Sequence, residues 1–211
     1  MNKQYTRPEG TDLDVSHSTI VVAEAVAKLL ATKFQGTAKE LHKVTDVQRH
    51  GKRFDSLNDV KSTVTGTGTI RVIARRVQNV RREAGYTIGD VHFVAFILVN
   101  DQYGENRDQR AELIASRLGV EVLSPSFSQS LKKFAHKAVS SCQWENITTQ
   151  AFDEIGVSMF AVQWSQECRL NVPVDESEMD DFLVAFMTAD IAANAPLMEA
   201  KIELEQEPTN A

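Results

Sequence analysis

Covalent staples are scarce in this chain. It has two cysteines, Cys142 and Cys168, too few for a disulfide framework or a cysteine-built metal site, and a reducing interior is the simplest setting for them. No apolar run reaches membrane length, and the polar start, residues 1–14, lacks the apolar segment of a signal peptide. The expectation is a cytoplasmic protein with no membrane association. Positive charge is also in deficit: the net charge of -6 argues against a surface built throughout for polyanions and leaves room only for a local basic patch.

Signatures of catalysis are missing too. There is no GxxxxGKS/T loop, no strand-borne GxGxxG, no HExxH and no GxSxG. Gly66 and Gly68 alternate with threonines and lack the following helix that a phosphate cradle requires. Neither cysteine has a base near it in sequence, so a nucleophile would need spatial pairing with His92 or His136. His42 and His50 are close in sequence, but no cysteine or carboxylate pattern completes a metal site around them, and they read as exposed polar residues. An enzyme reading therefore has no residues to rest on, and no cofactor or metal is expected.

What is present is organised around residues 90–123. Val91, Phe93, Ala95, Ile97 and Val99 alternate with Val94, Phe96 and Leu98, so both faces of an extended segment need cover, as in a central strand. Asn106 stands where a helix N-cap should, with Gln109 as its capping-box partner. Ala111, Ile114, Ala115 and Leu118 then form one helical stripe, which Gly119 is expected to end, with 120–123 as a short second strand.

Elsewhere, residues 1–15 read as a loose arm, and Ser16 or Ser18 caps a helix whose face is Val22, Val26, Leu29, Leu30 and Phe34. Residues 38–50 could extend that helical region, and 51–68 read as loop or hairpin approach. Residues 70–82 fit either a helix or a strand. The β-branched first half favours a strand running to about Gln78. This segment carries Arg71, Arg75, Arg76, Arg81 and Arg82, suited to phosphates or to acidic residues of a neighbouring subunit, or else a solvated face with ordinary surface pairs. After Pro125 a helix is expected with Phe127, Leu131, Phe134, Ala135 and Ala138 on one side and Lys132, Lys133, His136 and Lys137 on the other.

Gly156 opens a half-buried strand in which Phe160, Val162, Trp164, Cys168, Leu170 and Val172 alternate with Met159, Gln163, Ser165, Glu167 and Arg169, suited to a place near an edge or to an intersubunit sheet. In residues 175–207 many carboxylates face one lysine, Lys201. Asp175, Glu176, Glu178, Asp180 and Asp181 match no calcium loop and read as a solvated acidic linker. Together these elements predict an α/β (α+β) protein: a small mixed sheet flanked by helices on one side, with an arm over 1–15, a single domain over 16–174 and an acidic extension over 175–211 that packs on the domain or on a neighbouring subunit.

The segments VHFVAFILVNDQYGENRDQRAELIASRLG, GVSMFAVQWSQECRL and DDFLVAFMTADIAANAPLMEAKIEL, in this order, resemble Mu-like prophage tail proteins thought to act as tail terminators. Residues 182–191 are apolar and fit a helix or a strand, and the resemblance favours an extended conformation for them; residues 200–204 read as a short strand. The resemblance also implies a hexameric ring that caps the completed tail tube, stops its polymerisation, joins the tail to the head connector and lets DNA pass through its lumen. The site of action would be the virion tail and neck, after assembly in the host cytoplasm. Its subunit interface would draw on Arg71, Arg75, Arg76, Arg81 and Arg82 against Asp175, Glu176, Glu178, Asp180 and Asp181, because a head-to-tail contact needs two unlike complementary surfaces. The alternative from a different class is a nucleic-acid-binding protein using residues 71–82 and the lysine-bearing face of 132–137.

Overall fold

The structure is a computed structural model that describes residues 15–37, 39–51, 54, 56–100 and 107–171, together with two strands near the C-terminus. The chain divides into two compact units, Met1–Val172 and Pro173–Ala211. In chain order the first unit contains α1 (Thr19–Phe34), β1 (Asp46–Arg49), α2 (Leu57–Thr63), β2 (Gly68–Glu83), β3 (Tyr86–Asn100), α3 (Arg107–Leu123), α4 (Pro125–Ser130), β4 (Ser141–Asn146), α5 (Gln150–Glu154) and β5 (Val157–Arg169). The second contains β6 (Val184–Ala189) and β7 (Met198–Glu203).

Apolar residues on both faces place β3 at the centre of a five-stranded mixed sheet of order β1-β2-β3-β5-β4, in which only β1 and β2 run parallel. On the front face Phe93, Ala95, Ile97 and Val99 meet Ile70 and Val72 of β2 and Phe160, Val162 and Trp164 of β5, beneath the apolar stripes of α1 and α3. Phe93 stacks on Trp164 at 5.2 Å between ring centroids, and Phe127 meets the same indole edge-on at 6.4 Å. Each fully buried aliphatic or aromatic side chain in this layer contributes about 1.5–3 kcal/mol. The long helices both cover this face, as the helical stripes predict. The short α2 and α5 close one end of the back face, where Val60, Leu98, Val157 and Met159 form a smaller core.

Several boundaries depart from the sequence reading. Helix α3 continues through Gly119 to Leu123, so 120–123 are helical and no second strand follows. Gly119 is there for close approach: a Cβ on it would lie 2.6 Å from the Trp144 ring of β4. Residues 38–50 do not prolong α1. Val44 bridges Gln35, and β1 pairs with β2, so the backbone groups of this stretch are satisfied in the sheet. Within 51–68, Ser56 caps α2 by accepting from the Asp59 amide at 3.2 Å.

Residues 70–82 are a strand, as favoured, but β2 runs on to Glu83 and turns at Ala84 and Gly85, whose φ values of 49° and 80° suit a two-residue hairpin turn. The helix after Pro125 stops at Ser130. The following residues pair with the far end of β5, with Arg169 donating to the Phe134 carbonyl at 2.6 Å and His136 N–H to the Glu167 carbonyl at 2.8 Å. Strand β5 therefore lies one place in from the β4 edge. In the second unit, β6 pairs antiparallel with β7, in agreement with the extended readings over the described parts of those segments, 184–189 and 200–203. The arm over 1–14, the N-cap position Asn106 and the carboxylates Asp175, Glu176, Glu178, Asp180 and Asp181 lie outside the described residues.

Candidate functional site

The arginines of β2 do not form one patch. Alternation carries Arg71 to the back face, where it is 8 % exposed and its Nη1 reaches Asp46 Oδ2 at 2.6 Å. It also donates from Nη2 to the Thr63 carbonyl at 3.4 Å, so it fastens β1 and α2 to the sheet and is part of the scaffold. Arg81 is engaged as well. Its Nη2 meets Glu167 Oε1 at 2.7 Å and Glu83 Oε2 at 3.0 Å, and Lys137 Nζ approaches Glu167 Oε2 at 3.2 Å. The hydrogen bond from Arg81 holds the Glu167 carboxyl below the usual carboxylate range. Desolvation opposes it, and Lys137 adds to it.

Arg75, Arg76 and Arg82 remain. All are exposed, and among the described residues none makes an ion pair. A bulge sets the first two apart: pairing with β3 jumps between Ala74 and Arg76, so Arg75 has no cross-strand partner and the ribbon turns locally. A second shift between Gln78 and Arg81 is absorbed at Asn79, with φ of 51°, whose amide donates to Asp90 Oδ2 at 2.7 Å.

Beside the first bulge lies an open cleft of about 340 Å³. Its polar lining comes from Arg75, Arg76 and His92 and from β4 and β5, and Phe93, Cys142 and Trp164 also border it. Register explains the convergence: Arg76 opposes His92, His92 opposes Ser165, and Ser165 opposes Ser141, one row across β2, β3, β5 and β4. The row is hydrogen-bonded. His92 Nδ1 lies 2.7 Å from Ser165 Oγ, and His92 Nε2 lies 3.0 Å from the Gln78 amide.

Only one orientation of the Gln78 amide satisfies all its neighbours. Its oxygen then accepts from Arg76 Nε at 2.8 Å and its nitrogen donates to His92 Nε2 at 3.0 Å. His92 Nε2 is thus the acceptor, Nδ1 carries the proton and donates to Ser165 Oγ, and the Ser165 hydroxyl hydrogen is left to point elsewhere. In that tautomer the imidazole cannot take a proton from Ser165, so the pair does not have the arrangement of an activated serine.

Neither cysteine is activated. Among the described residues, neither His92 nor His136 hydrogen-bonds to one of them; His136 Nε2 sits 3.4 Å from Glu167 Oε1. Burial pushes the Cys142 thiol up to about 11 and, with Asp90 and Glu167 adding to it, the Cys168 thiol up to about 12. Of the two neighbouring histidines, His42 is exposed, whereas His50 is partly buried and stacks on Phe54 at 4.4 Å. No group of three or more His, Cys, Asp or Glu side chains that could hold a metal ion comes together among the described residues, and no described helix is long and apolar enough to cross a membrane.

Sequence reasoning did not single out the hydrogen-bonded set His92, Ser165 and Gln78, or Arg110. Polar residues at alternate positions of otherwise apolar strands, His92 on β3 and Gln163 and Ser165 on β5, were the available signal for that set. Arg110 is 4 % exposed and donates to the carbonyls of Leu41, Thr67 and Asn100 at 3.1–3.4 Å, which ties α3 to the loops around it. The chain matches no protein-family model, and no curated protein matches it in sequence.

Proposed function

We propose that this chain is a structural subunit of a bacteriophage tail, a terminator that closes head-to-tail into a ring, caps the tail tube and presents a platform to the head connector. Hexameric closure and a lumen that passes DNA follow from the resemblance carried by its three sequence segments. The observation that best supports the reading is the exposure of Arg75, Arg76 and Arg82 without carboxylate partners among the described residues, in a chain whose C-terminal sequence is rich in carboxylates. A closed heterologous ring needs two different surfaces that attract each other, and unlike charge provides both attraction and register. The action would be steric: a bound ring removes the growing end of the tube, with no bond made or broken.

The interface is narrower than the full set of arginines. Arg71 and Arg81 have intrachain partners, which leaves Arg75, Arg76 and Arg82 to face Asp175, Glu176, Glu178, Asp180 and Asp181 of the next subunit. The same engagement weakens the nucleic-acid alternative, since Arg71, Arg81 and Lys137 are withdrawn from its basic surface.

Native mass measurement and negative-stain microscopy of the purified protein, alone and with tail tubes, test the proposal. Rings, or assembly on tubes, that weaken in R75E/R76E support it. A protein that stays monomeric at high concentration and ignores tail tubes overturns it.

A further inference from the structure

The back-face cleft has the composition of an anion receptor. Its charged lining residues are Arg75 and Arg76, and among the described residues no carboxylate lines it. The acids on that face are engaged: Glu145 accepts from Gln163 Nε2 at 3.1 Å, Asp90 accepts from the Asn79 amide at 2.7 Å, and Glu167 is held by Arg81 and Lys137. Donors reach the cleft from opposite sides: guanidinium groups from β2, and hydroxyl and amide groups of Ser141, Gln143, Gln163 and Ser165 from β4 and β5.

Hydrogen bonding around His92 sets the direction of one of these donors. With Arg76 on the Gln78 oxygen, the Gln78 amide on His92 Nε2 and His92 Nδ1 donating to Ser165 Oγ, the Ser165 hydroxyl hydrogen is available to a further acceptor. Arg76 retains guanidinium N–H groups beyond those that Gln78 accepts, and Arg75 has no hydrogen bond or ion pair among the described residues. The lining therefore offers positive charge and surplus donors and asks for acceptors in return. Val94 is the apolar side chain on this face; Phe93 and Trp164 also border the cleft, but their rings stack on each other in the core of the opposite face and offer a base no surface here.

We propose that this cleft binds a phosphate-type oxyanion, with Arg75 and Arg76 as the charged clamp and Ser165 as an oriented hydroxyl donor. A tetrahedral phosphate presents several acceptor oxygens in different directions, which suits donors arriving from both sides of a cleft. A volume of about 340 Å³ admits a small phosphate ester. The site does not depend on ring formation, although it shares Arg75 and Arg76 with the proposed subunit interface, so bound phosphate would compete with a neighbour's carboxylates.

The test is a titration of the full-length protein, labelled with nitrogen-15, with inorganic phosphate, adenosine 5′-monophosphate, acetate and a short DNA duplex. Arginine Nε–H and backbone shifts are read alongside calorimetry and native mass. Saturable shifts at residues 75, 76, 92 and 165 with phosphate and the monophosphate are expected, with acetate weaker. Affinity should fall about tenfold or more in R75A/R76A and several-fold in S165A, and should persist in R82A, which removes a charge outside the cleft. No saturable shift, equal affinity in R75A/R76A, or salt-steep duplex binding without phosphate binding would each overturn the proposal. Rings that form while phosphate fails to bind overturn this inference alone, whereas phosphate binding by a protein that never assembles overturns only the ring.

Discussion

Arg71 and Arg75 are four residues apart on one strand, and what separates them is the neighbour each meets. Arg71 neutralises a carboxylate that is itself only 19 % exposed, so Arg71→Leu leaves Asp46 in a poorly hydrated place without its partner. Loss of about 3 kcal/mol is expected in urea unfolding, against changes within about 0.5 kcal/mol for Arg75→Ala. Glu167 gives the matching pH experiment. Its carboxyl titrates below the ordinary value of 4.5, so the stabilisation is fully present above that value and is lost as pH falls through the depressed one. Glu167→Gln should therefore lower the melting temperature at neutral pH, and the gap to the parent protein should close on acidification. A gap that stays constant with pH would show that the charge of Glu167 is not what matters. The sequence marks all of these side chains as basic or acidic, yet it does not say which are free. Asp46 and Glu167 lie far from their arginines along the chain and meet them only through strand pairing.

At the scale of elements, what could be read locally was read well. The alternation of residues 91–99 and the stripe Ala111, Ile114, Ala115, Leu118 are periodic signals that belong to one element each, and both are where they were expected. Misreadings fall where a distant partner decides. Gly119 looks like a helix stop until Trp144 packs on it, and the apolar spacing from Phe127 to Ala135 looks helical until the far end of β5 takes up that backbone. The first case predicts coupling: Gly119→Leu should cost about 1–3 kcal/mol through overpacking, and in a double-mutant cycle Trp144→Ala should relieve part of it. Additive effects would mean that the indole does not set the helix–strand spacing. At the β2–β3 turn, Ala84 holds a left-handed backbone that a side chain resists and that asparagine tolerates. Ala84→Asn should raise stability by about 0.5–1 kcal/mol in thermal unfolding.

For the sheet as a whole, the described residues bury its front beneath two long helices and close its back only at one end, and Arg75 and Arg76 border the cleft on that back face. That asymmetry is what both proposals, a ring contact and an oxyanion cleft, draw on. The β2–β3 hairpin has one further consequence, for the order in which the chain acquires its shape. Its strands zip from the turn at Ala84 and Gly85 with little loop to close, whereas β5 joins β3 only after the chain from Asn100 to Val157 has been brought round. Loop-closure entropy then makes the hairpin the early step and the arrival of β5 the late one. Easing the turn should quicken refolding, while trimming Trp164 should mainly hasten unfolding.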